Sequence, residues 1–175
     1  MSKKQTKISS GKNAELDIIN MILEDHKPLK ELIEVMKDSE KGLEERQEAF
    51  AQFAPLLISH AKPEEQSLYR YMKSDEELRE GGFEGDVEHQ LADQMVEEIL
   101  RTEDEDVWSA RVKVLAELVE HHIEEEEDEL LPDFKKHSET SDREKLGQLF
   151  LDLKTRLLER GGMDAPHERE THARH

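Results

Sequence analysis

At 175 residues with no cysteine, the chain is about one domain long and cannot hold a disulfide, a thiolate zinc site or a Cys-ligated iron–sulfur cluster. Charged residues make up 39% of it and the formal net charge is -19, so nucleic acid and anionic membrane surfaces are repelled. The basic start, Met1-Ser2-Lys3-Lys4, leads into no apolar stretch of signal-peptide or membrane-span length, and the expected location is the cytoplasm.

Few glycines and prolines, 5% aromatics and an excess of Glu, Leu, Lys and Ala predict an all-α fold. Residues 1–12 read as a flexible N-terminal segment and 13–160 as one helical domain. Residues 161–175, with His167, His172 and His175, lack apolar periodicity and read as a disordered tail. Within the domain, turn signals predict helices near 13–37, 42–73, 86–101, 105–136 and 141–160. Gly81-Gly82 with Gly85 marks a loop, Asp104 and Ser141 cap signals, and Gly161-Gly162 a stop. Pro28, Pro55, Pro63 and Pro132 fall inside helical patterns and predict bends. The first four helices suit an up-and-down four-helix bundle with short connections. The fifth is an extra short C-terminal helix packing across one end through Leu146, Leu149, Phe150, Leu153, Leu157 and Leu158.

Steps of three and four trace the core stripe of each long helix. Helix one gives Ile19, Ile22, His26, Leu29, Ile33 and Met36, and helix two gives Phe50, Phe53, Leu57, His60 and Glu64, continued by Leu68 and Tyr71. Helix three gives His89, Asp93, Val96 and Leu100, and helix four gives Trp108, Val112, Leu115, Val119, His122, Glu126 and Leu130. Each stripe is thus interrupted once around a histidine, and on helices two and four a glutamate follows one turn later. Two buried carboxylates converging in one core repel each other and cost several kcal/mol each unless cations neutralise them.

The segments after His60 and His122 echo each other: Glu64-Glu65 then Leu68-Tyr69, against Glu126-Glu127 then Leu130-Leu131. The i, i+4 spacing puts imidazole and carboxylate on one face, able to reach the same or adjacent ions. Six nitrogen and oxygen donors exceed a tetrahedral zinc site, and imidazole with carboxylate suits iron. The ferritin-like Glu-x-x-His order is absent, since Leu57 and Val119 stand three residues before His60 and His122, and there is no His-Glu-x-x-His protease pattern. His121 competes with His122 for the fourth position, although only His122 continues the Leu115, Val119 stripe.

Asp25-His26, His60-Ala61-Lys62-Pro63-Glu64-Glu65, Glu88-His89 and His122-Ile123-Glu124-Glu125-Glu126-Glu127 with Leu130-Leu131-Pro132 resemble the hemerythrin family, including its bacterial HHE cation-binding branch, over residues 15–158. The resemblance implies two non-haem iron ions joined by an oxo or hydroxo bridge. It makes Glu64 and Glu126 the bridging carboxylates, gives His26 and His60 to one iron and gives His89 and His122 to the other. Oxygen carriers of the family have a further histidine one turn after His89, where this chain has Asp93. Asp93 can ligate iron, hydrogen-bond to a ligand or turn aside. His137 and the tail histidines have no matching acid and read as bystanders.

Three functions remain open at this level. The first is a protein that binds or senses dioxygen, nitric oxide or peroxide at the iron pair, signalling through an unidentified protein partner or a helix rearrangement. The second is a di-iron oxidoreductase that consumes peroxide or oxidises iron, and the third a structural helical interaction domain.

Overall fold

The computed structural model describes residues 16–163, with side chains to 160, so the segments expected to be flexible at 1–12 and the tail from 164 onward lie outside the described residues. The described chain is all-helical. Helix α1 spans Ile18–Lys37. Helix α2 runs from Leu43–Glu64 through a π-helical turn at Glu65–Tyr69 into Arg70–Lys73. Helix α3 spans Arg79–Leu100. Helix α4 runs from Glu105–Glu125 through a second π turn at Glu126–Leu130 into Leu131–His137, and α5 spans Thr140–Met163. No described helix is long and apolar enough to cross a membrane.

Local chemistry sets the ends. Asp17 starts α1 by accepting from the Ile19 amide at 3.0 Å, five residues later than the periodicity alone suggests. Asp104 starts α4 in the expected way, accepting from the Val107 amide at 2.9 Å. Ser141 does not cap, because α5 begins one residue earlier, and Gly161-Gly162 does not stop it.

The expected loop at Gly81-Gly82 and Gly85 is instead the first turns of α3. These glycines serve close approach rather than chain reversal. A Cβ on Gly82 would stand 3.1 Å from Met72 Cβ and from the Tyr69 carbonyl, and one on Gly85 would run into the Tyr69 ring. Their absence of side chains lets α3 press against the end of α2.

Helix α5, expected to be short, is 24 residues long. It lies against α1 and α2, and Gly147 permits this because a Cβ there would collide with the Leu16 carbonyl. Phe150 is its fully buried anchor and Arg143 its buried charge, donating from Nε to Asp17 at 2.9 Å. Leu149 and Leu158, expected on the apolar face, are exposed at 41% and 62%.

The core falls into two apolar clusters. One includes Leu29, Ile33 and Met36 of α1, Phe50, Phe53 and Leu57 of α2, Val96 and Ile99 of α3, and Val112, Leu115 and Val119 of α4. The other joins Ile18 and Ile22 of α1 to Leu68, Tyr69 and Met72 of α2, Leu131 and Phe134 of α4 and Phe150 of α5. Along α1 the second cluster comes first, then His26, then the first cluster. Along α2 and α4 the order is reversed. On all three, the polar residues form the layer between the clusters.

Candidate metal centre

The core stripes carry His26, His60, Glu64, His89, His122 and Glu126 into that layer, where each is at most 6% exposed. Their donor atoms form two triads, His26 with His60 and Glu126, and Glu64 with His89 and His122, the atoms of each triad lying within 4.8 Å of one another. All six residues expected from sequence are therefore brought together. Each glutamate also reaches a histidine of both pairs. Glu64 Oε2 is 3.4 Å from His60 Nε2 and 3.7 Å from His89 Nε2, and Glu126 Oε2 is 3.3 Å from His26 Nε2 and 3.7 Å from His122 Nε2.

His122 and its neighbour part company: the His122 side chain is 8% exposed, whereas His121 is 66% exposed and pairs with Glu125. Only His122 lies in the layer. Asp93 turns aside, because Lys62 Nζ takes its carboxylate at 2.5 Å. That lysine also pairs with Glu65 at 3.0 Å, so Asp93 meets the centre only through the chain Lys62, Glu65, His89. His137 lies outside the cluster, paired with Glu77 at 2.7 Å.

Each histidine turns Nε2 inward and Nδ1 toward a carboxylate of an adjacent helix. Asp25 of α1 faces His60 of α2, Glu65 of α2 faces His89 of α3, Glu88 of α3 faces His122 of α4, and Glu127 of α4 faces His26 of α1. The separations are 3.5, 3.3, 2.5 and 2.9 Å in that order. The first is too long for a good hydrogen bond and leaves Asp25 Oδ2 and His60 Nδ1 without a partner. The four links close a ring around the bundle. At His26, His89 and His122 the carboxylate partner fixes the tautomer that presents Nε2 and raises the basicity of the ring, as it does behind metal-bound imidazoles.

Sequence reasoning gave these four acids no role, although each stands next to a cluster residue. A step of one residue turns a helical side chain by about 100°, from the core toward the neighbouring helix.

Tyr69 was also missed as a site residue. Its hydroxyl donates to Glu126 Oε1 at 2.5 Å and lies 3.3 Å from His122 Nε2 and 3.5 Å from His89 Nε2. An unbroken α-helix continuing past Glu64 would carry the stripe through Leu68 and Tyr71, but the π turn adds a residue, so that Tyr69 is buried beside Leu68 and Met72 takes the place of Tyr71. Ser67 holds the turn by donating to the Pro63 carbonyl at 2.6 Å. The second π turn begins at Glu126 itself and ends beside Pro132, which lacks the amide an α-helix would use there. Both glutamates thus sit at a switch from α to π winding.

The charges are strained without a cation. Burial and then the neighbouring Glu126 push the Glu64 carboxyl well above the usual carboxylate range. Burial also opposes charge on Glu126, but His122 and His26 outweigh it and hold that carboxyl far below its ordinary value. Burial pushes His60 down to about 4. His122 is raised, since Glu126 and Glu88 overcome its burial. Both oxygens of Glu64, one of Glu126, both ring nitrogens of His60 and Nε2 of His26 are buried without a hydrogen-bond partner. Orphaned lone pairs of imidazole and carboxylate, converging in a buried layer, are the donor set of a metal centre.

The family profile of the hemerythrin HHE cation binding domain matches residues 17–134. Searches of curated proteins and of solved structures give no match. The matched span contains all six clustered residues, the four carboxylates of the ring and both π turns, and the chain belongs to the hemerythrin family.

Proposed function

We propose that this chain is a hemerythrin-like protein whose α1 to α4 form an up-and-down four-helix bundle around two non-haem iron ions, where it binds or senses dioxygen, nitric oxide or peroxide. The alternating order in which α1, α2 and α4 meet the two apolar clusters supports the up-and-down arrangement. The orphaned donors of Glu64, Glu126, His26 and His60 carry the metal reading. His26 and His60 would hold one ion and His89 and His122 the other. Glu64 and Glu126, each placed near a histidine of both pairs, would bridge them. Iron supplies a redox-active centre that takes a small ligand. The protein supplies the buried layer, the oriented imidazoles and a phenol O–H at Tyr69.

The test is metal analysis of protein made in iron-replete cells. We expect two iron ions per chain in the wild type, unchanged occupancy in His121→Ala and loss of iron in His122→Ala. Full occupancy in His122→Ala would remove that residue from the ligand set, and an iron-free wild type would favour a structural helical domain.

One observation favours a second reading, a peroxide-consuming oxidoreductase: the Tyr69 hydroxyl is a buried proton donor inside the cluster. A positioned general acid is worth roughly 10²–10⁴-fold in rate. Under this reading Tyr69→Phe slows peroxide consumption by about 10²-fold while iron content stays at the wild-type level. Slow peroxide loss that is the same in both proteins leaves the binding reading in place.

A further inference from the structure

Between α3 and α4, on the side of the centre where His122 lies, a cavity of about 340 Å³ opens outward. Its floor holds His122 and Glu126, both buried, and Glu126 carries one oxygen, Oε2, without a hydrogen-bond partner. Its wall and rim carry Glu80, Glu84, Glu88 and Glu129, with no lysine or arginine among the lining residues. Three further acids there are already answered: Glu77 by His137, Asp133 by Lys136 and Glu125 by His121. Glu80, Glu84 and Glu129 are exposed and form no ion pair among the described residues. Gly81 lines the same wall, so no side chain from that position fills the opening.

We infer that this cavity is a charge-selective mouth through which divalent cations reach the centre, and which admits neutral small molecules while repelling small anions. A concave opening lined by one sign of charge, with low-dielectric walls, focuses the field and raises the local concentration of the opposite ion, changing association rates by about 10–10³-fold. The lining is acidic from rim to floor and ends on the Glu126 carboxylate, so a cation moves down a continuous gradient toward its donors. The same field narrows the external ligand of the proposed function to uncharged species. The inference rests on the metal reading above, and its test separates the two.

Metal-free protein is mixed with cobalt(II) in a stopped-flow instrument, and uptake is followed by the visible absorption of the bound ion. The variant Glu80→Gln/Glu84→Gln/Glu129→Gln changes only exposed rim residues. A control, Glu40→Gln/Glu44→Gln/Glu48→Gln, removes the same number of charges from exposed positions, the nearest of them ~18 Å along α2 from His60. At low salt the rim variant is expected to take up cobalt roughly tenfold or more slowly, with a flatter salt dependence and the same final occupancy. The control should match the wild type.

Azide association with the iron-loaded protein should change in the opposite direction and become faster in the rim variant, which a general loss of stability cannot produce. Gly81→Ala narrows the opening, with a Cβ that pushes the flexible ends of Leu130 and Met72 at 3.1 and 3.5 Å aside, and it should slow both reagents. Equal cobalt rates in wild type and rim variant, or equal slowing in the control, overturn the mouth and leave the metal site standing. A wild type that takes up no cobalt overturns both.

Discussion

Glu64→Gln is expected to abolish tight binding of the metal pair and yet raise the melting temperature of the metal-free protein. The two effects have one cause. Glu64 is fully buried with both oxygens unpartnered, 3.4 Å and 3.7 Å from the Nε2 atoms of histidines in opposite triads. As a carboxylate it suits two cations. Without them it must either hold a proton far above its ordinary range or lie charged beside Glu126. The amide has the same shape and no charge to desolvate, so it relieves the empty core while offering a weak donor to metal.

The pH dependence sharpens this. A carboxyl whose folded pKa is raised destabilises the fold progressively as pH rises from its unfolded value, near 4.5, toward the folded one, so the metal-free wild type loses stability across that window. Glu64→Gln removes this loss. On the acid side, His60, held down to about 4, resists a proton that the unfolded chain accepts near 6.5, so stability falls as pH drops from about 6.5 to about 4 in both proteins. Thermal melts of the two chelated proteins from pH 4 to 8 provide the measurement. A lower melting temperature for Glu64→Gln than for wild type at pH 7 would mean that the carboxylate is satisfied in the metal-free fold.

Removing metal from the wild type should lower its melting temperature by the largest margin of any single treatment. Metal binds the folded layer and not the dispersed chain, so at a thousandfold excess over Kd each site adds about 4 kcal/mol, and each kcal/mol shifts a domain of this size by roughly 2–4 °C. The expected drop on chelation is on the order of 10 °C or more. Because the donors are imidazoles and carboxylates, which bind metal only when unprotonated, acidification should release the ions, and the difference between loaded and chelated melts should shrink as the pH falls. Superimposable melts at pH 7 would leave the orphaned donors without a cation and favour a purely structural domain.

The six clustered residues were legible in the sequence because burial and helical period are both written there. A histidine on each apolar stripe, with glutamate one turn later on two of them, becomes a single layer once helices of similar length pack together. The acids of the ring were legible as letters but not as partners. On α1 and α3 the acid precedes the histidine, as Asp25-His26 and Glu88-His89, while on α2 and α4 it follows the glutamate, as Glu64-Glu65 and Glu126-Glu127. Stepping backward on one helix and forward on an oppositely directed neighbour turns the side chain in the same sense around the bundle. The alternation in the sequence therefore matches an up-and-down arrangement, and reading it requires knowing which helices adjoin.

Tyr69 was hidden for a different reason. Its position follows from a π turn, and a constant 3.6-residue period cannot anticipate an added residue. The glycines of α3 misled in the same way, since Gly81, Gly82 and Gly85 signal a loop by propensity while the neighbouring Tyr69 ring and Met72 demand small residues in a helix. Asp93 was placed correctly on its helix, but Lys62, on another helix, decides where its carboxylate goes.

The two π turns also set how this gene can tolerate change. Each holds one more residue than an α turn, so deleting a single codon between 65 and 67 would let the helix relax into ordinary winding while everything beyond it keeps its face. Such a deletion breaks no reading frame and leaves Tyr69 and Met72 on the core face that they already occupy. A one-codon deletion in either π turn is therefore expected to be milder than one elsewhere in α2 or α4, where ordinary winding has no residue to give up and everything beyond the cut would turn by about 100°.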